Sequence, residues 1–376
     1  VNETECADGE VAMTDAQRAQ PARRDAASSA PALREEGAAI IAGAAGFVLT
    51  ALVAVPSFWG QTLPIAGPGS VSQFAAIAAA VVAIVAYPVG RLWRREGLTP
   101  FGSRAPGVPR PRTSAADVFD TVVIAFAHGV IALLLWIVLG AVLADAFQGA
   151  SVYALAAVVL AAAVAGVTAY AVFLSGAGMD ILRLSTVLAV FAVVGILAAM
   201  LSAPDPDWWR LHLSALGMTS SVSSLTFNLT LIVTGVIVTA IARYATDLRD
   251  VDDPRRRRGL VRVRVCLLLI GVLLAGVGVF PLNVSQLLHN VSAVGMVLVF
   301  ALLVFWVPAA LPQAPPAFFV LGYVFFATIV GVLVFFAIGY YVLTAAELVA
   351  GVLVFSWLIV YLRVSGAAQV GRATAA

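Results

Sequence analysis

Apolar stretches long enough to cross a bilayer recur along almost the whole chain after residue 36, separated by short polar connections. A hydrocarbon core about 30 Å thick takes roughly 20 residues of α-helix. Inside lipid a backbone N–H or C=O finds no water, so a spanning segment must be a helix or part of a closed barrel. The alternation over about ten residues that marks a barrel strand is not seen, which leaves helices. The composition agrees: 62% of the 376 residues are hydrophobic and 11% charged, with a mean hydropathy of +1.01, far from a water-soluble domain.

The pattern predicts an all-α integral membrane protein with ten spans, at 37–57, 71–91, 117–146, 149–174, 181–202, 225–246, 264–284, 288–309, 317–338 and 341–363. Residues 1–36 mix Ala, Arg, Asp, Glu, Ser and Pro without apolar periodicity and read as a disordered cytoplasmic tail. Ala and Val dominate the first four spans, whereas the later ones carry most of the Phe and Asn. This divides the chain into a four-helix region, 37–174, a six-helix domain, 175–364, and a cytoplasmic tail, 365–376.

Arginine fixes the orientation, because basic residues in short connections stay on the cytoplasmic side. The connection after the second span carries Arg91, Arg94, Arg95, Arg104, Arg110 and Arg112. That after the sixth carries Arg249, Arg255, Arg256, Arg257, Arg258, Arg262 and Arg264. Ten spans put both inside, together with both termini, and leave only Arg210 in an outer loop. Arg255 to Arg258 follow Asp247, Asp250, Asp252 and Asp253, so this nearly neutral loop reads as a topology signal in contact with membrane lipid rather than a nucleic-acid site. The Ala- and Arg-rich composition points to a prokaryotic cytoplasmic (plasma) membrane.

All 22 basic residues are Arg, so chemistry that needs a lysine amine, such as a Schiff base, is excluded. Cys6 and Cys266 are too few for a disulfide framework or a metal cluster. No metal-binding motif, phosphate loop, dinucleotide fingerprint or spaced nucleophile, base and acid stands out. The expectation is a protein without cofactor or metal, with membrane lipids as partners, and not foremost an enzyme.

Ionisable groups within spans are costly and therefore candidates for function. His128 lies midway in the third span, Asp120 near its inner end, and Glu347 in the outer half of the tenth. A denser polar cluster falls on the outer face. There the longest loop holds Trp208, Trp209, Arg210, His212, Ser214 and Gly217, the sixth span opens with Asn228, and the next outer turn runs from Phe280 and Pro281 through Asn283 to His289 and Asn290. Arg210, His212, Ser214, Asn228, Asn283, His289 and Asn290 are the candidate ligand-binding residues. The duller roles are an interfacial belt for the tryptophans and helix cross-links for the asparagines.

The series Leu213-Ser214-Ala215-Leu216-Gly217, Phe227-Asn228, Phe280-Pro281 and His289-Asn290, over roughly residues 181–363, resembles bacterial polytopic membrane proteins of the domain-of-unknown-function class. These in turn are similar to the DRAM, Frag and Sfk membrane proteins. The resemblance implies lipid handling and points to Ser214, Gly217, Asn228, Pro281, His289 and Asn290. The four preceding spans, and Leu213 where the pattern has Ile, depart from it.

Three functional readings follow. The first is a membrane protein that binds or handles a lipid or amphiphile at the outer leaflet. The second is a proton-coupled secondary transporter using Glu347 and His128. The third is an intramembrane lipid-modifying enzyme using His212 or His289.

Overall fold

A computed structural model describes residues 15–96, 114–219, 221–246 and 253–373. Cys6, Arg104, Arg110, Arg112 and Arg249 lie outside the described residues. Ten α-helices run through the rest: α1 Asp15–Phe58, α2 Val71–Glu96, α3 Ala115–Ala146, α4 Ala154–Ala177, α5 Ile181–Leu201, α6 Val222–Ala245, α7 Pro254–Val279, α8 Gln286–Ala310, α9 Pro316–Ala337 and α10 Leu343–Ala373. Each contains a segment long and apolar enough to cross a membrane. The protein is therefore an all-α polytopic membrane protein.

Several boundaries differ from expectation for local physical reasons. Residues 15–36 are helical and continue into α1, in keeping with their Ala-rich composition. The fourth span starts at Ala154 instead of 149, because Ser151–Tyr153 is extended and pairs antiparallel with Thr62–Pro64. These two strands, β1 (Thr62–Pro64) and β2 (Ser151–Tyr153), tie the α1–α2 connection to the α3–α4 connection. The seventh helix starts ten residues earlier than 264, so Arg255 to Arg258 form its first turn rather than a loop. Asp253 caps that turn by accepting from the Arg255 N–H at 2.9 Å, and Pro254 occupies the position where a missing N–H costs nothing. At the other end α10 runs to Ala373, into the segment read as a tail.

Helices α1 and α2 pack against α4 and α3 packs against α2, while α5 to α8 pack in sequence, and α10 carries α9 and returns to α5. Lipid offers no hydrophobic gain for helix association, so close fit has to supply it, and small residues permit that fit. A Cβ on Gly235 would lie 2.3 Å from Gly271 O, and one on Gly271 would lie 2.5 Å from Gly235 O; here α6 and α7 touch backbone to backbone. Gly90 and Gly176 do the same for α2 and α4, against Phe173 O and Tyr87 O respectively. The two regions meet where α3 contacts α5 and α6. At that seam Asp120 of α3, 2% exposed, is paired with Arg243 of α6, whose guanidinium also donates to Ala116 O at 3.3 Å.

Arginines of the described residues gather at one end of the helices, among them Arg94, Arg183, Arg243, Arg255 to Arg258 and Arg363. Arg210 stands alone at the opposite, arginine-poor end, where the site described next lies.

Candidate functional site

The connection from α5 to α6 folds into two short 3-10 turns, Trp208–Arg210 and Leu213–Gly217. The second turn is apolar but for Ser214, and it turns inward. Leu216 joins Ala199, Phe227, Leu231 and Leu274 in a small buried cluster, with Trp208 packed on its rim. The turn thereby plugs the arginine-poor end of the α5–α6–α7 bundle.

Three polar side chains from two other elements fasten it. Asn228 of α6 donates from Nδ2 to Gly217 O at 3.0 Å, and Ser224 Oγ donates to the same carbonyl at 2.8 Å. Asn283, in the α7–α8 connection, donates to Met218 O at 2.8 Å. A Cβ on Gly217 would sit 2.5 Å from Asn228 Oδ1, so the clamp requires glycine there. Asn228 and Asn283 thus hold backbone carbonyls of the loop.

The chemistry sits at the other end of the turn. Glu347, in the second turn of α10, accepts the Leu213 N–H at 2.5 Å through Oε2, and the Ser214 N–H is also directed at its carboxylate. Ser214 Oγ lies 3.4 Å from Glu347 Oε1 and 3.1 Å from His289 Nε2, and His289 Nδ1 lies 2.9 Å from Phe280 O. Ser214 and His289 are buried, at 7% and 4% exposure, and Glu347 is half-buried. A carbonyl oxygen can only accept, so His289 Nδ1 must carry a proton and donate to Phe280.

Two proton distributions then satisfy every contact. In one, Glu347 is ionised, Ser214 donates to it, and a doubly protonated His289 donates from Nε2 to Ser214. In the other, Glu347 donates to Ser214 Oγ, and Ser214 donates to a neutral His289 at Nε2. Both hold the same number of protons and differ by the shift of two protons through the Ser214 hydroxyl. The chain Glu347, Ser214, His289 can therefore exchange a proton between carboxyl and imidazole without creating net charge.

The remaining candidates fall outside this chain. Arg210 is exposed, 3.2 Å from Asp207 in an ion pair, with its guanidinium 5.3 Å over the Trp209 ring. Asn290 is exposed. His212 precedes the plugging turn, and its Nδ1 is buried without a hydrogen-bond partner; burial pushes its imidazole below the ordinary value of 6.5. His128 lies far away in the four-helix region, with Nδ1 2.7 Å from Ile124 O, Nε2 2.9 Å from Ser175 Oγ and Tyr87 stacked on its ring. The sequence reading kept Glu347 apart from the outer cluster. Span parity put the two at similar depth, but nothing in the sequence paired Glu347 with Ser214.

Two shallow cavities lie elsewhere. An apolar one of about 530 Å3 runs between α1 and α4 beside Gly43, Phe47 and Gly166, and one of about 340 Å3 lies beside the β1–β2 pair. Neither is lined by His128 or Glu347. Among the described residues no group of three or more His, Cys, Asp or Glu is placed to hold a metal ion.

No curated protein and no solved structure matches the chain. Residues 186–364, which include the plugging turn, both asparagine clamps and the whole Glu347–Ser214–His289 chain, match the family described as "Protein of unknown function (DUF998)".

Proposed function

We propose that the six-helix domain engages a lipid or other amphiphile from the leaflet on its arginine-poor side, which the positive-inside rule makes the outer leaflet of the cytoplasmic membrane. The observation that carries this reading is the Glu347–Ser214–His289 chain, which concentrates polar chemistry at the membrane boundary with the Glu347 carboxyl as its half-buried end. Polar groups at that depth are costly and therefore candidates for function. Trp209, Leu211, Tyr340 and Tyr341 are exposed at the same end, in the amphipathic mixture that suits a headgroup boundary, and Arg210 offers a charge for a phosphate or carboxylate. Proton-coupled transport gains less support, since the His128 imidazole is committed to Ile124 and Ser175 in the other region.

The test is mass spectrometry of lipids retained by the purified protein, followed by titration of vesicles of defined composition. Retention of a particular lipid class, weakened in Ser214→Ala and His289→Ala, is the expected result. Equal retention of all lipids by wild type and by both variants refutes the reading.

A further inference from the structure

The geometry points to a further activity at this site: Ser214 and His289 form a nucleophile and base for transfer of an acyl group from an ester of a hydrophobic acid. The inference rests on the amphiphile reading above and names its chemistry. A serine hydroxyl becomes a nucleophile when an adjacent base can take its proton and a third group holds the base in place. Those parts are present, with Ser214 Oγ 3.1 Å from His289 Nε2 and His289 Nδ1 held 2.9 Å from Phe280 O. The bond to Phe280 fixes the tautomer that leaves Nε2 free to accept.

A place for a negatively charged oxygen adjoins the nucleophile. The N–H groups of Leu213 and Ser214 both point at the Glu347 carboxylate, so in this state the side chain of Glu347 stands where a developing oxyanion would lie. Glu347 is only half-buried, and its exposed neighbour Leu348 and the exposed Leu211 of the loop are apolar. Withdrawal of that side chain toward the membrane boundary frees both N–H groups and opens Ser214 from the side on which an acyl chain lies.

The reaction balances without a redox partner. Ser214 Oγ bonds to the ester carbonyl carbon while its proton passes to His289 Nε2, and the carbonyl electron pair moves to oxygen, facing the two N–H groups. When that pair returns, the ester C–O bond breaks, and the leaving alcohol takes the proton from Nε2. Water or a second alcohol then attacks acyl-Ser214 by the same route in reverse and restores the Ser214 hydroxyl.

The experiment is labelling of the full-length protein in detergent and in vesicles with an alkyl fluorophosphonate, read by peptide mass spectrometry. The expected result is a single adduct on Ser214. The rate should fall by about 100-fold or more in His289→Ala, and in wild type it should fall as pH drops enough to protonate the base. Ser214→Ala should take no label at that peptide. No adduct on Ser214 of a folded wild-type protein that still retains a particular lipid class overturns the acyl-transfer inference and leaves the amphiphile reading standing. A Ser214 adduct without selective lipid retention does the opposite. A labelling rate independent of pH and of His289 removes His289 as the base and overturns the inference even if Ser214 is labelled.

Discussion

The Ser214 hydroxyl lies 3.1 Å from His289 Nε2 across 75 residues of sequence, and Glu347, a further helix pair away, completes the same hydrogen-bonded chain. Three elements meet there: the plugging turn after α5, the first turn of α8 and the second turn of α10. Each contributes one polar group that alone would be an isolated cost at the membrane boundary. Together they satisfy one another.

The seam between the two regions should respond asymmetrically to truncation. Arg243→Ala withdraws a countercharge from an Asp120 side chain that is 2% exposed, whereas Asp120→Ala leaves a guanidinium that is 41% exposed and open to hydration. The first variant should lose more stability, on the order of 3 kcal/mol. Thermal unfolding in detergent compares the two, and equal losses would show that the pair is not buried as described.

Backbone contact between α6 and α7 leaves no room for a side chain. Gly235→Leu has to push Gly271 O away from a Cβ position 2.3 Å distant, and should cost on the order of 3 kcal/mol or prevent folding. Gly331→Ala in α9, where a Cβ meets nothing within 4 Å, should leave the unfolding temperature unchanged or slightly raised. Fluorescence-detected size exclusion of the heated variants distinguishes them.

His212 makes the loop sensitive to acid. Burial holds its imidazole below 6.5, so between the folded and unfolded values the unfolded state binds the proton more readily. Stability then rises with pH across this window and is lost as pH falls below about 6.5. The unfolding temperature should drop between pH 7.5 and pH 5, and His212→Gln should flatten that drop. A wild-type profile no steeper than that of His212→Gln would refute the role.

Threading through the membrane has a direct test. A cysteine at Trp209, exposed in the α5–α6 loop, should react in whole cells with a membrane-impermeant thiol reagent, and one at Arg257, exposed in the first turn of α7, should not. Cys266 is buried within α7, and Cys6→Ser removes the other native thiol, which keeps the background low. The reverse pattern would place the Glu347–Ser214–His289 chain on the cytoplasmic side.

By itself the sequence determined the solvent, the helical class, the count of ten spans and the end of the molecule at which polar groups collect. Those properties depend on summed hydropathy over about 20 residues and on arginine in short connections, which are local quantities. It also brought Ser214, Asn228, Asn283 and His289 to one depth, because depth follows from position along a span. The tertiary structure alone decided that Glu347 belongs with Ser214 and His289, that Asn228 and Asn283 hold loop carbonyls, and that His128 stands apart. Lateral neighbours in a bilayer are chosen by the fit of helix surfaces such as Gly235 on Gly271, and that fit leaves no periodic trace in a chain rich in small residues.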